Sequence, residues 1–68
     1  MQISYNKLWK LLIDKNMKKM DLIDSANIGT TTLARLSKNK PVSMEILGRI
    51  CKALECDIGD IVEIFSEE

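Results

Sequence analysis

The segment Lys18–Asn39, KKMDLIDSANIGTTTLARLSKN, gathers the side chains best suited to chemistry. Thr30, Thr31 and Thr32 bring three hydroxyls in a row, and Arg35 and Lys38 follow at helical spacing. Lys18 and Lys19 open the segment, and Lys40 lies just past its end. This set has no nucleophile–base pair, and the chain has no histidine and no Gly-rich phosphate loop, so an enzyme is a poor reading. Asp21 and Asp24 stand one helical turn apart, which is the spacing of a solvated face. Hydroxyls and cations in this pattern suit recognition instead. A hydroxyl or a guanidinium on a helix can reach base edges in the major groove of DNA. Ammonium groups hold phosphates, which position a protein on the duplex without reading its sequence.

Such side chains must be presented by a scaffold. Leu22, Ile23 and Ala26 give the first half of the segment an apolar stripe, and Ile28 sits in the turn. Leu33 and Leu36, three residues apart, turn one face of the second half inward. Thr30, Thr31, Ala34, Arg35 and Lys38 are thereby left pointing outward. The pattern is helix, turn, helix, over about Lys18–Ala26 and Thr30–Lys38.

Around it the periodicity predicts three more helices, making an all-α, five-helix chain. The first runs from about Tyr5 to Lys15, capped by Ser4, with Tyr5, Leu8, Leu11 and Leu12 inward. Trp9 and Ile13 widen its apolar surface; Trp9 reads as a core residue, with a partner subunit the alternative for Trp9 or Ile13. The fourth starts after Ser43, has Glu45 in its first turn, and repeats Leu47, Ile50, Cys51 and Leu54. The fifth begins at Asp57, with Asp60 at capping-box spacing and Ile58, Ile61, Val62 and Phe65 on its apolar side. Asn16, Asn27 and Asn39 each follow a helix, which suits three left-handed C-terminal caps. Pro41 then stops the third helix. No segment reads as a strand.

Sixty-eight residues make one domain, 1–68, and 46% hydrophobic content is enough for a globular core. A chain this short buries only about 60% of its unfolded surface, so it must be compact or oligomeric. No apolar run approaches the ~20 residues that cross a membrane, and no signal peptide is legible; the expected location is the cytoplasm. Cys51 and Cys56 suit a reducing compartment as core thiols, and two cysteines without histidine cannot complete a structural zinc site. No metal or cofactor is expected.

The net charge is zero, but the charges segregate. Residues 1–40 carry eight cations against three acids, and residues 41–68 carry two cations against seven acids. A +5 half beside a −5 half gives one face for phosphates and another turned away from them.

Residues 5–64 resemble the Cro/C1-type (XRE-like) helix-turn-helix domain of bacterial and phage regulators, chiefly its small stand-alone members. ANIGTTTLARL and LGRICKALECDIGDI carry the resemblance most specifically. It implies a compact five-helix, lambda-repressor-like domain with the helix-turn-helix at helices 2 and 3. It also implies a homodimer on a double-stranded DNA operator. By position, Thr30, Thr31 and Arg35 fall where the family's recognition helix meets bases, with Ala34 on the same face. Lys19, Thr32, Lys38 and Lys40 fall where it meets phosphates, and Lys18 adds a further cation there. The chain departs from the family where Lys18-Lys19 replace Thr-Gln, Asn27 and Asn39 replace Gly, and Ile23 replaces a small Ala.

The expected function is a sequence-specific transcriptional regulator, a repressor, with residues 30–38 in the major groove. The alternative is a protein-interaction module, antitoxin-like or anti-activator, on the same scaffold. Ile61, Ile64 and Phe65 of the fifth helix are the expected dimer contact, because Ile64 lies off the stripe of Ile61 and Phe65.

Overall fold

The structure, a computed structural model, describes residues 2–66. Strand β1 (Gln2–Ser4) leads into helices α1 (Asn6–Asp14), α2 (Asp21–Ser25), α3 (Thr30–Ser37) and α4 (Met44–Leu54). A 3₁₀ turn at Ile58–Asp60 and strand β2 (Glu63–Phe65) follow.

The helices bury the faces their periodicity marks out. Leu8 and Leu12 of α1, Leu22 of α2, Leu33 and Leu36 of α3, and Leu47, Ile50 and Leu54 of α4 meet in one core with Tyr5, Ala26, Ile28 and Ile61. Ser43 caps α4, its Oγ accepting from the Ile46 N–H at 3.2 Å. Ser4 Oγ accepts from the Asn6 N–H at 3.2 Å, so it serves the start of α1 although the helix begins a residue later than expected. Helix α2 is shorter than its sequence pattern. Lys18–Met20 form a tight turn closed by three-residue hydrogen bonds, such as Asp21 N–H to Lys18 carbonyl at 2.9 Å. No hydroxyl stands at Lys18 to cap a longer helix; Asp21 instead reaches back, its Oδ2 accepting from the Lys18 N–H at 2.8 Å.

Asn16, Asn27 and Asn39 are all left-handed, with φ of 58°, 55° and 57°. At each, the next residue's N–H reaches back five residues: Met17 to Leu12, Ile28 to Ile23 and Lys40 to Arg35. This closes the orphan carbonyls of three helix ends. A fourth left-handed cap was not legible. Glu55 ends α4 with φ 54°, and Cys56 N–H bonds Cys51 carbonyl at 3.0 Å. Glutamate is a poor left-handed residue, so nothing in its type announces the cap.

The expected fifth helix is absent, and the fold is not purely helical. The capping box at Asp57 and Asp60 does form, with Asp60 Oδ2 accepting from the Asp57 N–H at 2.9 Å, but it closes only one 3₁₀ turn. Beyond it, β2 pairs antiparallel with β1 in the register Gln2↔Phe65, Ile3↔Ile64 and Ser4↔Glu63. Ile61, Val62 and Ile64 are β-branched and stiff at χ1, which favours extended chain once a partner strand is in reach. That partner comes from the opposite end of the sequence. Ile61 is fully buried, Ile58 and Val62 pack partly against the core, and Ile64 and Phe65 are 61% and 43% exposed.

Cys51 and Cys56 are free thiols, each half-buried. Burial, reinforced by the neighbouring Cys51, pushes the Cys56 thiol up to about 11. Among the described residues no helix is long and apolar enough to cross a membrane.

Candidate nucleic-acid interface

Helix α3 is fastened from beneath and bare above. Leu33 and Leu36 anchor it in the core, while Thr30, Thr31, Ala34, Arg35 and Lys38 are exposed. Thr30 and Ala34, and likewise Thr31 and Arg35, are four residues apart, so each pair stacks along one face. Thr32 is half-buried, at the edge of that face. Gly29 precedes the helix, and no side chain caps its N-terminal amides. These amides, with the three threonine hydroxyls beside them, form the kind of helix end that accepts an anion.

The turn before α3 is braced from α4. Arg49 Nη1 donates to the Asn27 carbonyl at 3.1 Å, and its Nη2 pairs with Glu45 at 2.6 Å. Glu45 thus anchors the arginine that holds the turn, besides lying in the first turn of α4.

The loop after α3 is tied down more heavily. Tyr5, at the head of α1, donates twice into it. Its N–H bonds Asn39 Oδ1 at 3.1 Å, and its hydroxyl bonds the Lys40 carbonyl at 2.8 Å. Burial raises the Tyr5 pKa above its ordinary 10.0, outweighing a backbone hydrogen bond at Val42 and the Arg35 charge, which lower it. The phenol therefore stays protonated and remains a donor. Arg35 supplies a third tie, with Nη2 2.8 Å and Nε 3.2 Å from the Pro41 carbonyl. A guanidinium has five N–H groups, so those unused by Pro41 are left for an outside acceptor.

Of the expected phosphate-binding cations, Lys18, Lys38 and Lys40 are exposed. Lys19 is exposed too, but its Nζ lies over the Trp9 ring, 4.3 Å from the centroid. Trp9 is half-buried, part core residue and part surface. The expected dimer contacts divide. Ile61 is a core residue and cannot meet a partner, because the 3₁₀ turn points it inward. Ile64 and Phe65 stay at the surface, on a strand rather than a helix.

Tyr5, Asn39 and Arg49 hold the backbone on either side of α3. Sequence reasoning placed Asn39 as a cap and Tyr5 as a core residue but missed the bond between them. The Tyr5 backbone N–H and the Asn39 side chain meet across 34 residues, a separation that local periodicity does not register.

Comparison with known proteins agrees with this geometry. The crystal structure of the transcriptional regulator VanUg (form II) is 50% identical in sequence and superposes with a TM-score of 0.92, covering 97% of this chain and 88% of that one. YozG of Bacillus subtilis (strain 168), an uncharacterized HTH-type transcriptional regulator, is 37% identical over 60 residues, which are 85% of this chain and 71% of that protein. Residues 7–67 match the Cro/C1-type HTH DNA-binding domain, and the chain belongs to that family.

Proposed function

We propose that this chain, a DNA-binding transcriptional regulator by family, is a sequence-specific repressor that seats α3 in the major groove of its operator as a homodimer. One observation carries the reading: α3 buries Leu33 and Leu36 and leaves Thr30, Thr31, Ala34 and Arg35 together on the open face. In this reading those four residues meet base edges. Lys18, Lys19, Thr32, Lys38 and Lys40 meet phosphates and fix the register. Repression asks only that the operator be occupied. Ile64 and Phe65, exposed on β2, are the surface for the second copy, which would double the few base contacts that one α3 offers.

A second reading has one observation in its favour. Ile13 is 72% exposed and Met20 62%, apolar surface that a protein partner would cover. Gel retardation with random-sequence and selected duplexes at two salt concentrations separates the two. A dimer making about 6–10 phosphate contacts loses ~10³-fold or more in affinity between 50 and 200 mM salt. Binding that is flat with salt, or no enrichment of any sequence from a random pool, refutes the first reading.

A further inference from the structure

We propose that Trp9 is a positioning residue for DNA binding, its indole face holding the Lys19 ammonium in place for a backbone phosphate. The inference rests on the DNA-binding reading above. Lys19 lies in the turn that opens α2, and Trp9 lies in the middle of α1, so their 4.3 Å contact spans two elements. Trp9 packs against the core and is fixed by it. The cleft beside it, about 120 Å³, is lined by Trp9, Leu12, Ile13, Met17 and Lys19. The lysine therefore lies along apolar surface with its charged head over the ring, an arrangement long cationic side chains favour. The quadrupole of the ring face attracts the ammonium at this distance.

The choice of partner matters. A carboxylate would orient Lys19 equally well but would neutralise it, and a phosphate would have to displace the carboxylate. A ring orients the ammonium and leaves its full charge. Among the described residues no carboxylate lies within ion-pair distance of Lys19; the ion pair present is Arg49–Glu45, on α4. Asp21, the nearest acid in sequence, accepts from the Lys18 backbone through its Oδ2. A lysine alone is a flexible point charge with little directional preference. Held over Trp9, it meets the phosphate with less freedom left to lose.

Trp9 is the chain's single tryptophan, so growth on fluorinated tryptophans alters this ring and no other. Fluorine withdraws charge from the ring face and barely changes its shape. The full-length protein is titrated with a random-sequence duplex at several salt concentrations, because a phosphate contact needs no operator. Affinity should fall stepwise with added fluorine, by about two- to five-fold per chain in all. Lys19→Gln should lower the salt slope by about one per chain and make affinity indifferent to fluorination. Trp9→Leu should match the fluorinated protein, and Trp9→Phe should recover part of the loss. Affinity that ignores fluorination, or that falls equally in the Lys19→Gln background, overturns the assignment even if Trp9→Leu fails to fold. Lys19→Gln with the wild-type salt slope also overturns it and leaves DNA binding standing. A wild type with no salt-dependent duplex binding refutes the DNA reading and the positioning role together.

Discussion

The guanidinium of Arg35 is hydrogen-bonded to the Pro41 carbonyl, with Nη2 at 2.8 Å and Nε at 3.2 Å. Helix α3 is thus tied to its own exit loop by the side chain proposed to read a guanine. We predict that Arg35→Ala loses about 1–3 kcal/mol of discrimination between operator and random DNA. Lys38→Ala should weaken all sites alike, since a phosphate contact carries no sequence information. Arg35→Lys should resemble Arg35→Ala, because a point charge reproduces neither the fork on Pro41 nor a bidentate contact. Competition titrations with selected and random duplexes decide; equal losses on both for Arg35→Ala would remove its base-reading role.

Asn39 does two jobs and Asn16 one. Both are left-handed, with φ of 57° and 58°, and Asn39 also accepts the Tyr5 N–H at 3.1 Å. Glycine tolerates the backbone conformation but offers no acceptor. Asn16→Gly should therefore be near neutral, whereas Asn39→Gly should cost about 1–3 kcal/mol by leaving the Tyr5 amide unpaired. Urea denaturation of the two variants side by side checks this; equal midpoints would mean that the Asn39 side chain contributes nothing beyond its backbone.

Glu55 caps α4 in the left-handed region at φ 54°. An ordinary side chain there stores roughly 1–2 kcal/mol of backbone strain. Glu55→Gly should recover about 1 kcal/mol and raise the melting temperature, whereas Glu55→Val should lower it. A glycine variant that melts below the wild type would show that the glutamate side chain outweighs the strain.

Cys56 should make the fold sensitive to alkali. Its thiol is pushed up to about 11 in the folded chain from an ordinary 9.0. Above the lower value the unfolded chain has released a proton that the folded chain still holds, so stability falls as pH rises. The contribution is complete below pH 9 and is lost as pH climbs through 11. Burial shifts the Tyr5 phenol in the same direction, above its ordinary 10.0. Cys56→Ala should flatten part of the alkaline decline in unfolding midpoints measured from about pH 8 to 11. At neutral pH Cys56 of the folded wild type, followed by peptide mass spectrometry, should react slowly with thiol reagents, because the thiolate is the nucleophile. Fast labelling of Cys56 at pH 7 would contradict the shift.

Ile64 and Phe65 test the dimer. They stand 61% and 43% exposed on a strand with one unpaired edge, where a second copy can add both apolar contact and backbone pairing. Ile64→Asp should shift sedimentation equilibrium toward monomer and weaken operator binding more than random-DNA binding. Ile61→Asp should unfold the chain instead, since Ile61 is fully buried. A dimer indifferent to Ile64→Asp would place the contact elsewhere, with Ile13 on α1 the next surface to alter.

Local sequence was sufficient for much that depends on neighbours along the chain, the left-handed Glu55 cap excepted. Leucines three and four apart in α1, α3 and α4 announced their buried faces, because a helix brings those positions together whatever surrounds it. Three asparagines announced three left-handed caps, because residue type alone favours that conformation. The segment after Asp57 went the other way. Its apolar residues fit a helix until Gln2–Ser4 supplied a strand from the far end of the sequence, and backbone pairing between the termini then outweighed a local preference worth little in so short a segment. The Tyr5 clamp on Asn39 and Lys40, the Arg49 brace on Asn27 and the Lys19 contact with Trp9 were decided in the same way. Each joins residues that only packing brings within reach, so tertiary structure alone determined how the readable surface is held in position.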